Sequence, residues 1–94
     1  MSEKEFMQQV IELATLYRWM VYHTFDSRRS CAGFPDLLLL KNAALIVAEL
    51  KVGDNKPTSE QRTWLDCWRL IPGALVCVWR PTDWKAIERA ITGI

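Results

Sequence analysis

No stretch of the chain carries the roughly 18 consecutive apolar residues that a membrane-spanning helix needs, and none reads as a signal peptide. No membrane partner is expected, and the cysteines point the same way. Cys31, Cys67 and Cys77 are odd in number and form no C-x-x-C, which fits a reducing, intracellular (cytoplasmic) setting better than a disulfide scaffold. Histidine occurs once, at His23, so no zinc-ligand spacing can be written. No Ser/His or Cys/His pair stands out for covalent catalysis. An excess of one charge is missing too: 12 Lys and Arg against 11 Asp and Glu leave a net +1. Bulk charge therefore gives no argument for nucleic acid, and any such contact must come from a local patch. Repeats, linkers and low-complexity tracts are absent as well.

What the chain has is apolar residues, half of the total, and five Trp. That suffices for one small domain, 1–94, with a core. Phe6, Val10, Leu13, Ala14 and Tyr17 recur at helical spacing, so residues Ser2 to about Met20 are expected to form a helix. Ser2 followed by Glu5 has the form of a capping box. Trp19 to Thr24 reads as a first strand, and DSRRSCA, residues 26–32, as a loop. Thr58 caps a second helix to about Leu70, with Gln61 at the capping-box position and Trp64, Leu65, Trp68 and Ile71 on its stripe. Ala74 to Arg80 is a further strand, and Trp84 to about Ile91 a last helix.

The chain is organised around GFPDLLLLKNAALIVAELK, residues 33–51. Two short apolar runs, Leu37–Leu40 and Ala43–Ala48, flank Lys41-Asn42 and read as a hairpin covered on both faces. Asp36 stands before the first run; Glu49 and Lys51 close the second. Alternation points Glu49 and Lys51 the same way, and antiparallel pairing brings Asp36 near the level of Val47 and Glu49. Charges placed against an apolar hairpin are costly without partners. Two carboxylates and the Leu50 carbonyl make a hard oxygen site suited to Mg²⁺ or Mn²⁺, and Lys51 can orient a water or steady a phosphate. Taken singly, Asp36 also reads as a strand-start residue bonding local backbone, and Glu49 with Lys51 as an exposed ion pair. Arg28 and Arg29, in the loop leading to Gly33, are candidates for phosphate contacts, as is Lys56; solvated surface charge is the alternative.

The ordered set Gly33-x-Pro35-Asp36-Leu37, Glu49-x-Lys51 and Thr58-Ser59-x-Gln61-x-x-Trp64 resembles the VRR-NUC branch of the PD-(D/E)xK nucleases, including small stand-alone versions of phage type. The resemblance runs from the first helix to about Pro81. It implies an α/β fold in the order α-β-β-β-α-β-α, a PD-(D/E)xK restriction-endonuclease-like core with a mixed sheet flanked by helices. It further implies a Glu on the first helix completing the metal site, Glu5 or alternatively Glu12, and Gln61 at the active site. A Mg²⁺- or Mn²⁺-dependent endonuclease on branched DNA such as four-way (Holliday) junctions, working as a homodimer, is the function implied. A non-catalytic DNA-binding or assembly module, or a nuclease subunit needing a partner, is the alternative.

Overall fold

The computed structural model describes residues 1–24 and 31–94. Helix α1 (Glu3–Leu16) begins with the expected capping box, Ser2 N–H donating to Glu5 Oε1 at 2.9 Å and Glu5 N–H to Ser2 Oγ at 3.1 Å. It stops four residues before Met20 because Arg18 turns left-handed, with φ 68°. The Trp19 N–H then closes back on the Ala14 carbonyl at 3.0 Å. The apolar stripe had concealed this end, since Tyr17 continues its spacing beyond the last helical turn.

Strand β1 (Met20–His23) pairs antiparallel with β2 (Leu37–Lys41), and β2 with β3 (Ala44–Leu50). Asn42, with φ 53°, sits in the β2–β3 turn, a conformation Asn tolerates well. Helix α2 (Ser59–Arg69) carries the chain over to β4 (Ala74–Trp79), parallel to β3. A single 3₁₀ turn, Pro81–Asp83, leads into α3 (Trp84–Thr92). The sheet order is β1-β2-β3-β4, a mixed sheet with helices on both faces, as expected.

One face holds the main core. Phe6, Val10 and Ala14 of α1 and Ile87 and Ile91 of α3 bury against Leu37, Leu39, Ile46, Ala48, Leu50 and Trp79. The Trp19 Nε1–H donates to the Ile91 carbonyl at 2.8 Å and fastens the start of β1 to the end of α3. On the other face Val47 and Leu65 are buried outside that cluster, so α2 makes a smaller second core over β3 and β4. The second face of β1 and β2 is left uncovered: Met20 is 73 % exposed, Tyr22 56 % and Leu40 48 %. The hairpin is thus enclosed on both faces along β3 but not along β2. Alternation cannot reveal this, because it depends on where one 11-residue helix lands.

Candidate active site

The C-terminal ends of β1, β3 and β4 and the start of β2 share one end of the sheet. Extending the β2–β3 register by one pair beyond Leu37↔Ala48 sets Asp36 opposite Glu49. Asp36 is held there by its own side chain and backbone. Its Oδ2 accepts from the Leu50 N–H at 2.8 Å, and its carbonyl accepts from the Thr24 N–H at 3.0 Å. Lys51 follows, nearly buried at 8 % exposure, with its N–H on the Trp79 carbonyl at 3.0 Å.

Glu49 is fully buried, and neither carboxylate oxygen has a hydrogen-bond partner among the described residues. Burial, then the neighbouring Asp36 carboxyl, pushes its pKa up to about 9; the Lys51 charge opposes the shift and Glu3 adds to it. Two ionised carboxylates are both acceptors and bond each other only when one carries a proton. Asp36 therefore leaves ionised Glu49 unsatisfied. An orphaned buried carboxylate beside a second one is suited to share a cation as readily as a proton.

Among the described residues no group of three or more His, Cys, Asp and Glu side chains gathers to hold a metal. The donors present still suit one class of ion. Mg²⁺ commonly takes one or two carboxylates and keeps several waters. Asp36, Glu49 and the Leu50 carbonyl match that donor chemistry.

The structure does not gather every candidate at this end. Glu5 is committed to the Ser2 cap, and bonds from the Ser2 backbone and then its hydroxyl hold its carboxyl below the usual range. Glu12 accepts from Gln8 Nε2 at 3.1 Å along the exposed flank of α1. The α1 carboxylate whose charge reaches Glu49 is Glu3. The apolar stripe points to Glu5 and Glu12 on its flank and does not mark Glu3. The signal was present, since a capping box that engages Glu5 leaves Glu3 as the other first-turn acid.

Gln61 likewise closes a capping box. Its Oε1 accepts from the Thr58 N–H at 2.8 Å, leaving the amide N–H groups and one oxygen lone pair for another contact. Lys56 lies exposed in the β3–α2 loop. That loop is strapped by Arg80, which the sequence did not single out: Nη1 donates to the Gly53 carbonyl at 2.9 Å and Nη2 to the Asn55 carbonyl at 2.6 Å. Arg28 and Arg29 lie outside the described residues.

Much of the motif string docks one element on another. Gly33, at φ 83°, lets its backbone lie against Glu60 and Gln61 in the first turn of α2. Trp64 Nε1–H donates to the Ala32 carbonyl at 3.1 Å, and its ring meets Phe34 edge-on at 5.0 Å. These contacts fix the segment that delivers Asp36. A solved structure titled "VRR_NUC domain protein" is similar in fold, with a TM-score of 0.65 over 88 % of this chain and 80 % of that one. The fold is VRR-NUC-like. Identity to that VRR-NUC neighbour is 19 %. No protein-family model and no curated protein matches the sequence. Among the described residues no helix is long and apolar enough to cross a membrane.

Proposed function

We propose that this chain is a metal-dependent deoxyribonuclease that hydrolyses phosphodiester bonds, acting as an endonuclease on branched DNA. The observation that carries this reading is the buried, unpartnered Glu49 carboxylate against Asp36, with Lys51 two residues on, within a VRR-NUC-like fold. Asp36, Glu49 and the Leu50 carbonyl would hold Mg²⁺ or Mn²⁺, with Glu3 contributing charge from α1. When bound, the ion supplies Lewis-acid polarisation of a phosphate oxygen and a water of lowered pKa. Lys51 orients the attacking water or stabilises charge on the pentavalent phosphate. Gln61 keeps the start of α2 in place over the segment carrying Asp36, and Lys56 meets a backbone phosphate.

The test is a panel of labelled duplex, flap, splayed-arm and four-way-junction DNAs with Mg²⁺, Mn²⁺ or EDTA. Cutting is expected only with metal. Cleavage that persists in EDTA, or no cleavage of any substrate with Mn²⁺, rejects the reading. Lys51→Ala should lose about 10²–10³-fold in rate, the scale of one electrostatic group, yet keep the metal-induced rise in melting temperature.

Glu3 and Glu5 are separated by a matched pair of variants. Glu3→Gln should lower the rate at least about tenfold and weaken metal-induced stabilisation, because it removes a charge that Glu49 feels. Glu5→Gln keeps a capping-box residue and should change both little. The opposite order would return the role to Glu5.

A homodimer is part of the same proposal. The uncovered face of β1 and β2 presents Met20, Tyr22 and Leu40, and a recess of about 240 Å³ lined by Trp64, Cys67, Trp68 and Ile71 opens on α2. An apolar surface can face its own copy across a two-fold axis without charge repulsion. Sedimentation at micromolar concentration should show the pair, and monomer alone, with and without junction DNA, removes it.

A further inference from the structure

A cleft of about 530 Å³ opens between α1 and the ends of β1 and β3. It shares Leu50 and Thr24 with the surroundings of the carboxylate pair, since the Leu50 N–H bonds the Asp36 side chain and the Thr24 N–H the Asp36 carbonyl. Its volume falls in the roughly 300–1,000 Å³ range of pockets that enclose small organic ligands. Of its lining, only Glu3 and the Leu50 carbonyl take part in the chemistry proposed above.

The lining is apolar, polar and charged in turn. Met7, Ile11 and Leu50 give apolar walls, whereas Gln8 and Thr24 give fixed polar groups. The Thr24 hydroxyl donates to the Pro35 carbonyl at 3.0 Å, so towards a ligand its oxygen can only accept. Gln8 commits one Nε2–H to Glu12, leaving a second N–H donor and its Oε1 acceptor. Glu3 and Lys4 bring opposite charges to the lining, and His23 completes it.

A DNA strand running past Asp36 and Glu49 presents charged phosphate and sugar, which gain nothing from Met7 and Ile11. The part of DNA with apolar faces and an edge carrying both donors and acceptors is the base. Stacked and paired in a duplex, a base cannot enter a concave cleft. Removing it from the stack costs least where it is mismatched, bulged or at a branch point. We infer that this cleft binds one unstacked nucleobase beside the scissile phosphate, so that cutting falls next to unpaired nucleotides. The inference rests on the deoxyribonuclease reading for its substrate.

The test needs no catalysis. In EDTA, binding of the full chain is compared between a duplex with a one-nucleotide bulge and the same duplex whose bulged nucleotide is abasic. The base should tighten binding about tenfold. Ile11→Ala removes part of the apolar wall and should shrink that ratio about threefold while leaving the abasic duplex bound as before. In parallel, the Met7 methyl resonance is followed during titration with deoxyadenosine monophosphate and with deoxyribose 5-phosphate. It should move only with the nucleotide. Equal binding of base and abasic bulges, or a Met7 signal that ignores the nucleotide, overturns the cleft assignment even if metal-dependent cleavage is found. A Met7 response specific to the nucleotide, in a protein that cuts no DNA with any metal, supports the cleft and overturns the deoxyribonuclease reading.

Discussion

Replacing Gly33 by alanine is expected to lower the melting temperature by about 10–25 °C, on a scale where 1 kcal/mol is worth roughly 4–8 °C in a domain of this size. A Cβ at this position would stand 2.6 Å from the Glu60 carbonyl oxygen and 2.7 Å from the Gln61 nitrogen, and closer still to the Glu60 carbonyl carbon. All three are backbone atoms of the first turn of α2, so no side chain can swing aside. Overpacking of this kind costs about 1–3 kcal/mol, and the left-handed φ of 83° adds about 1 kcal/mol more for any residue with a Cβ. Gly53→Ala is the control. Gly53 is also left-handed, at φ 58°, but nothing lies within 4 Å of its added Cβ, so only the backbone cost of about 1 kcal/mol applies. Thermal melts of the two variants side by side decide the matter. Equal losses would mean that Gly33 is conserving a turn and not a docking contact.

The second large effect is a loss of stability with rising pH that Glu49→Gln abolishes. The Glu49 pKa is raised from 4.5 to about 9 in the folded protein, so between those values the native state holds a proton that the unfolded chain has released. Stability from this group is therefore fully present below about pH 4.5 and is lost as pH climbs towards 9. The ceiling on the loss is ~6 kcal/mol, at about 1.4 kcal/mol for each tenfold change in proton concentration. Denaturant melts in EDTA should show wild type weakening across this window relative to Glu49→Gln. At the alkaline end the variant should be the more stable by at least about 2 kcal/mol. Asp36→Asn acts in the same direction for a local reason. Its Oδ1 can still accept the Leu50 N–H while its amide donates to Glu49, so the metal-free protein should be unchanged or gain about 1 kcal/mol. Added Mg²⁺ should restore wild type at high pH and do little for either variant. Parallel pH profiles for wild type and Glu49→Gln would show that Glu49 is not held protonated.

The sequence carried the sheet and its register because β2 and β3 are short apolar runs around a turn that Asn42 favours. From that register alone Asp36 and Glu49 come level, and with them the pair at the centre of the candidate site. Covering was not legible. Leu38 and Leu40 are as apolar as Leu37 and Leu39, yet α2 shields only part of their face, and Leu40 stays 48 % exposed. The end of α1 was hidden for a related reason, since Tyr17 keeps the helical spacing although Arg18 has already reversed the chain. Glu5 and Gln61 show a different limit. Each could have served a cap or a site, and both caps are formed. Composition gives no weight to a two-carbonyl strap such as Arg80, because neither acceptor belongs to a side chain.

The β2–β3 turn has a kinetic consequence. Asp36 and Glu49 are only 13 positions apart on one hairpin, whereas Lys51 is anchored through the Trp79 carbonyl, 28 positions away across the α2 connection. Local pairs form early, on the order of microseconds for a hairpin, and pairings that must close a long loop form late. The two carboxylates thus meet before β4 arrives to fix the Lys51 backbone. Their repulsion falls on the climb to the folding barrier and not only on the finished protein. Refolding should accordingly run faster in mild acid than at pH 8, with Asp36→Asn erasing most of that difference. A divalent ion that bridges the hairpin would then speed folding as well as stabilise its product.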